Sequence, residues 1–292
     1  MPRGVPAAGF RRRGNWEARV NATASVTKPA LVAPEKEESF AEIHARLVER
    51  FAAMDKMAAA TVSGHNKSLI LSGPPGLGKS YGVMKIADRY AAAGNKVTVV
   101  KGFIRPTGLY KVLFENREGD SVVIFDDADS VFEDSVALNL LKAATDMTRT
   151  RTLSWRAETN METDDGEKLP TSFDFGGKII FITNYDFDAL INKNNMNSKH
   201  FAAMISRSIY LDLGMKTTRD YLVRIQMVAP AMFEMNGVTE TLGAEILQFI
   251  SDNHSRLREL SLRMVLKLIT LVEMDRKEWK SLARVTCFKS GM

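Results

Sequence analysis

The chain has 292 residues, 45% of them hydrophobic and 26% charged, with a formal net charge of +5. This is ordinary globular composition, enough for one large domain or two modest ones, and no apolar run approaches the roughly 18 residues of a membrane span. The single Cys287 excludes an internal disulfide and fits a reducing, cytoplasmic compartment. The mild positive charge permits nucleic acid as a partner without requiring it.

In chain order, 1–34 holds six Arg or Lys, one acid (Glu17) and no sustained periodicity. Residues 1–37 therefore read as a disordered basic tail, with an organelle transit segment as the alternative. No apolar stretch of a secretory signal follows the charges. A helix is predicted over 39–61, where Phe40, Ile43, Leu47, Phe51 and Met54 recur at helical spacing. Strands are predicted at 68–72, 96–101, 121–125, 178–183 and 209–213, with helices at 79–93, 107–116 and 135–147 between them. Strands alternating with helices imply a parallel sheet covered on both faces. The segment 149–177 alternates polar and apolar residues around an acidic turn and reads as a β-hairpin inserted into this pattern. After 214 only helices are predicted, at 217–233, 240–253, 261–276 and 278–287. The expected organisation is a tail (1–37), a three-layer α/β domain (38–214) and a small helical domain (215–292).

The sequence GPPGLGKS at 73–80 lies between a predicted strand and helix. Its glycines let backbone N–H groups turn inward around phosphate oxygens, and the helix N-terminus adds its positive dipole end. Gly73, Pro74, Pro75, Gly76, Leu77, Gly78, Lys79 and Ser80, with Tyr81 after them, are the candidate nucleotide-binding residues. Lys79 can reach the β- and γ-phosphates and Ser80 can hold Mg²⁺. A second strand, VVIFDDAD at 122–129, ends in acid. Asp126 suits the role of Mg²⁺-associated carboxylate, and Asp127 that of a general base polarising the attacking water. Asp129 and Ser130 read as turn or cap residues. The strand KIIFIT ends in Asn184, an amide able to orient that water. Arg207 precedes the last strand, where it is poorly placed for its own phosphate site but could reach a γ-phosphate on a neighbouring subunit.

This order of motifs, GPPGLGKS, VVIFDDAD, FITN, SRS before a strand and a helical C-terminal segment, resembles the AAA+ ATPase family over about residues 38–288. FDDAD resembles the acid box of clamp loaders and SRS their arginine-finger motif. GLYKVLFEN, FDDADSVF and SFDFGGKIIFITN resemble small AAA+ proteins of bacteriophages, which would place the chain in the host cytoplasm. The resemblance implies ATP and Mg²⁺ held between core and lid, and homo-oligomeric rings or spirals, commonly hexamers. It also implies a lid arginine in the site. Ser261 reads as an N-cap, which puts Arg263 in a first helical turn where that arginine usually sits, with Arg258 as the alternative. The family's base is normally Glu, so the shorter Asp127 implies slow hydrolysis or a compensating backbone.

In such rings the loop KGFIRPTGLY would face the pore. Phe103 and Arg105 are candidate contacts for a polymer, although Phe103 suits core packing equally. Trp155, Arg156 and Arg151 of the hairpin are further candidates. Three functions remain open: a phage-type replication or recombination ATPase that loads or translocates on DNA without sequence specificity, a protein remodeller that engages a protein partner, and an ATP-switched scaffold with little turnover.

Overall fold

The alternation of strands and helices is realised as a five-stranded parallel sheet. A computed structural model describes residues 38–156, 161–163, 166–193 and 197–290. The predicted tail lies outside the described residues, as do parts of the hairpin turn. The strands are β1 (Ser68–Ser72), β2 (Val97–Lys101), β3 (Val122–Asp126), β6 (Lys178–Thr183) and β7 (Ile209–Asp212), in the spatial order β2-β3-β6-β1-β7. Every pairing in this sheet is parallel.

The three central strands, β3, β6 and β1, are buried along their whole length. That is why they read as continuous apolar runs rather than alternating ones. Leu69, Leu71, Val122, Ile124, Ile180 and Ile182 point to one face, against α1 (Phe40–Val62) and α2 (Lys79–Ala92). Ile70, Val123, Phe125, Ile179 and Phe181 point to the other, against α3 (Pro106–Glu115) and α4 (Ser135–Ala144). Phe125 and Phe181 stack there with ring centroids 5.3 Å apart.

Two helices on this second face have no counterpart among the predicted elements: α5 (Phe187–Asn192) and α6 (Ser198–Arg207). The first has six residues and buries only Phe187; the second is anchored by Phe201 and Met204. Six residues cannot display a helical period, whereas Phe201, Met204 and Ile205 of the second do recur at helical spacing and the sequence reading misses them.

The inserted segment forms an antiparallel pair, β4 (Thr152–Ser154) and β5 (Ser172–Asp174). Leu153, Phe173 and Phe175 turn into the core of the second face. Two expected polymer contacts are corrected here. Trp155 is partly buried and packs on Tyr110, ring centroids 5.8 Å apart. Arg151 is buried, donates to Ala144 O and Gly177 O at 2.7 Å each and lies over the Phe175 ring. Both are held by the hairpin's attachment to the core. Arg156 remains exposed.

The C-terminal helices α7 (Thr218–Met235), α8 (Glu240–Asn253), α9 (Leu262–Met274) and α10 (Trp279–Cys287) enclose a core of their own around Ile246, Val265, Leu268 and Ala283. A capping box between Thr217 and Asp220 starts α7. Helix α1 grips this junction: Arg46 binds Asp220 at 2.6 Å and Gly214 O at 3.1 Å, and Arg50 donates to Asp212 O. Among the described residues no helix is long and apolar enough to cross a membrane.

Candidate functional site

In a parallel sheet the carboxyl ends of neighbouring strands share one edge, so residues far apart in sequence meet there. Here β1 runs into the glycine-rich loop, β3 into the paired acids and β6 into Asn184.

The loop wraps around the start of α2. Gly78, at φ +90°, caps that helix without any side-chain hydrogen bond, which leaves the first-turn N–H groups directed at the cleft. Lys79 is buried. Its ammonium donates to Gly73 O, to Pro74 O at 2.9 Å and to Asn184 Oδ1 at 3.0 Å. All three acceptors are uncharged. Burial pulls the Lys79 pKa down to about 8, against the opposing charges of Asp127 and Asp129. A cation desolvated in this way is poised for an anionic ligand.

The acids divide their work. Asp126 is buried, and its Oδ1 accepts from the Ser80 hydroxyl at 2.6 Å. Asp127 is exposed, and its Oδ1 accepts from Asn184 Nδ2 at 2.9 Å. Asn184 thus bridges Lys79 and Asp127 through the two ends of its amide. Asp127 is the one non-glycine residue with positive φ, +53°, among the described residues. Such backbone strain persists only where the surroundings fix it, here by the Asp127 N–H bond to Ile182 O at 3.1 Å. Asp129 does more than terminate a turn. Its Oδ1 accepts from Thr183 Oγ1 at 2.6 Å, tying the acid segment to the end of β6 beside Asn184. Burial, then the Asp127 charge, outweighs the Thr183 hydrogen bond and holds the Asp129 carboxyl above its usual range. Ser130 Oγ accepts from Ile104 N–H at 3.2 Å and so anchors the loop after β2.

The helical domain closes the other side. Ser261 caps α9, accepting from Met264 N–H at 3.3 Å, as its position predicts. Leu262 N–H donates to Gly76 O at 2.8 Å, so the start of α9 abuts the glycine-rich loop. Gly76 has φ +74°, and a Cβ there would fall 2.7 Å from Ser261 Cβ; a side chain would part loop from helix. Arg263 therefore lines the cleft with Lys79. Arg258 instead lines a smaller recess behind Pro74 and Pro75, near Ser290.

Arg224, on α7, is a site residue that the sequence reading misses. Its guanidinium lies 3.3 Å from the Phe51 ring centroid and donates to Leu77 O from Nε and Nη2 at 3.2 and 3.1 Å. Burial lowers its pKa to about 10. No local motif marks it, because its partners lie on α1 and the loop.

These elements enclose a cleft of about 960 Å³. Its lining includes the cations Lys56, Lys79, Lys85, Arg89, Arg224 and Arg263 against the carboxylates Asp55 and Asp127. Tyr81, exposed, stands in its wall. A cation excess beside free helix N–H groups suits a polyphosphate. Among the described residues no group of three His, Cys, Asp or Glu side chains could hold a metal alone. A divalent ion at Ser80 and Asp126 would thus borrow phosphate oxygens, as Mg²⁺ commonly does.

Arg207 lies outside this cleft. It ends α6, half-buried, and donates to Ala203 O at 3.0 Å. Phe103 is 77% exposed, which excludes the core packing it also suits, and Arg105 is exposed beside it.

The chain is 33% identical over 276 residues to an uncharacterized 36.7 kDa protein from the nrdC-mobD intergenic region of Enterobacteria phage T4, covering 94% of this chain and 83% of that protein. No protein-family model matches. Among solved structures, the RuvB Holliday junction branch migration motor of Thermotoga maritima matches with a TM-score of 0.35 and 15% identity, over 83% of this chain and 75% of that one. NtrX from Brucella abortus in complex with ADP matches with a TM-score of 0.48 and 11% identity, over 82% of this chain and 52% of that one. The glycine-rich loop, the acid strand and the strand-end Asn184 share one edge of a parallel α/β core that a helical domain follows, and the chain belongs to the family of the phage T4 protein.

Proposed function

We propose that the protein is an ATPase that binds ATP with Mg²⁺ in this cleft, hydrolyses it at subunit interfaces of a homo-oligomeric ring or spiral, and acts on DNA as a loader or translocase in phage replication or recombination. One observation carries the reading: Asn184 links Lys79, at the phosphate cradle, to Asp127 through 3.0 and 2.9 Å hydrogen bonds, while Ser80 and Asp126 pair beside them. A phosphate group and a water would sit between these groups.

In this scheme Lys79 and the N–H groups of Gly76 to Tyr81 bind the phosphates. Ser80 and Asp126 would hold Mg²⁺, which would supply positive charge to the phosphate oxygens. Asp127 accepts a proton from the attacking water, and Asn184 orients both. The strained backbone of Asp127 offers the compensation a one-methylene-shorter acid requires. Arg263 brings the lid's charge to the phosphates. Arg207, remote from its own cleft, serves a neighbour's, and this is the argument for a ring, of which the hexamer is the expected form. DNA is favoured as the polymer by exposed Phe103, Arg105 and Arg156, and the +5 net charge permits it. The exposure of Phe103 equally suits a remodeller gripping polypeptide, so the polymer must be tested directly.

The test is ATP turnover by the assembled protein alone, with single-stranded DNA and with an unfolded polypeptide. Stimulation by DNA supports the proposal; stimulation by polypeptide alone transfers it to the remodelling class; no turnover under any condition leaves an ATP-switched scaffold. Asp127→Asn should bind ATP as the parent does and retain it unhydrolysed, whereas unchanged turnover would remove Asp127 from the chemistry.

A further inference from the structure

Asp126 has a second partner that the scheme above does not use. In the pairing of β2 with β3, Lys101 stands opposite Asp126. Its ammonium lies 3.0 Å from Asp126 Oδ2, while the Ser80 hydroxyl holds Oδ1. The carboxylate is 5% exposed and the lysine side chain 65% exposed. Among the described residues, the cation in ion-pair contact with this nearly buried charge is Lys101, which reaches it from solvent. The register fixes Lys101 at this spot, and the loop that follows is anchored by Ile104 N–H on Ser130 Oγ at 3.2 Å. The loop cannot slide along β3 without breaking both contacts.

We propose that Lys101 is the resident counter-cation of Asp126 and sets the affinity of the site for its divalent metal. Without metal, the ammonium compensates a buried carboxylate whose other partner, the Ser80 hydroxyl, carries no charge. With metal, two cations compete for one carboxylate, and the exposed lysine must withdraw into solvent or weaken the metal's hold. Lys101 is therefore a positioning residue: it stands outside the cleft lining and acts through Asp126. The inference rests on the Mg²⁺–nucleotide reading of the cleft.

The experiment compares the full chain with Lys101→Met, which keeps the length of the stem and removes the charge, and with Lys101→Arg. Mn²⁺ is titrated into each ADP-bound protein and its binding followed by electron paramagnetic resonance. Lys101→Met should take Mn²⁺ about tenfold more tightly than the parent, a single charge pair's worth, and Lys101→Arg should match the parent. In chelator without nucleotide, Lys101→Met should melt below the parent, and ADP with Mn²⁺ should close that gap. Lys101→Gln serves in place of Lys101→Met should the latter not fold, with the same expectations. An unchanged or weaker Mn²⁺ midpoint in the charge-free variant, in a parent that binds ADP and Mn²⁺ normally, overturns this inference alone. A parent that binds no ADP overturns the nucleotide reading and this inference with it.

Discussion

The cleft and the inserted hairpin both present cationic and aromatic residues in polar sequence surroundings, yet the structure treats them oppositely. In the cleft, Lys79, Ser80, Asp126 and Asn184 meet at one edge of the sheet, and Lys79, Ser80 and Asn184 face a cavity. In the hairpin, Arg151 and Trp155 turn toward the core, Arg151 bonded to two backbone carbonyls and Trp155 against Tyr110. The difference is one of constraint. Parallel strands deliver their carboxyl ends to a common edge whatever the side chains there. A hairpin chooses which face to bury by what each face can satisfy, and Arg151 is satisfied by the carbonyls of Ala144 and Gly177.

The largest expected effect separates the two regions outright. Lys79→Ala should weaken nucleotide binding about a hundredfold or more, since a charge-assisted bond to phosphate contributes about 3 kcal/mol. Its fold should survive, because the substitution also removes a buried cation. Titration with a fluorescent ADP analogue, alongside circular dichroism, reads both. Near-parental affinity in a folded Lys79→Ala protein would end the nucleotide reading.

Arg151→Ala should do the converse. Two backbone carbonyls lose buried donors and the Phe175 ring loses its guanidinium, a cost of about 2–4 kcal/mol. Chemical denaturation should show that loss, while ADP affinity stays within about twofold of the parent. Weakened DNA binding with unchanged stability would restore Arg151 as a polymer contact.

The same contrast explains what could be read from sequence. The loop, Asp126, Asp127 and Asn184 were legible because each is a local pattern at a strand end, and the sheet does the assembling. The cap at Ser261, and so the place of Arg263, was legible for a similar reason. Arg224 and Lys101 were not, because their roles depend on partners 147 residues away at Leu77 and one strand across at Asp126. Asp129 resembled a turn acid until its bond to Thr183 gave it a purpose. Helix α5, with six residues, is too short to announce itself, while α6 carries a helical spacing that the reading misses, and the inward turn of Arg151 and Trp155 follows from packing rather than pattern.

A smaller, graded effect should appear with pH. Burial lowers the Lys79 pKa to about 8 in the free protein, and bound phosphate would favour the ammonium and raise it. Below pH 8 free and bound forms both hold the proton, and this group adds no pH dependence. Above pH 8 only the complex holds it, so binding takes up a proton and weakens by up to about tenfold per pH unit. ADP titrations between pH 7 and 9.5 should show this slope in the parent and none in Lys79→Ala. Arg151, held near 10 by burial, keeps its proton over most of that range, so hairpin packing should not contribute.

The smallest expected change in the isolated chain is that of Phe103→Ala. Phe103 is 77% exposed and follows Gly102, where a Cβ would meet nothing within 4 Å. A side chain with so few neighbours has little packing to lose, and stability should shift by less than about 0.5 kcal/mol. Trp155 is the internal control: partly buried against Tyr110, its truncation to Ala should destabilise by several times as much. If Phe103 stacks on bases, its loss should weaken single-stranded DNA binding by about 1–3 kcal/mol while ADP affinity is unchanged. Filter binding of labelled oligonucleotide by the assembled protein measures the first, and the fluorescent ADP titration the second. A destabilised Phe103→Ala protein would mean that the aromatic packs on a neighbouring subunit or elsewhere on the chain, and an unaltered DNA affinity would remove it from the polymer path.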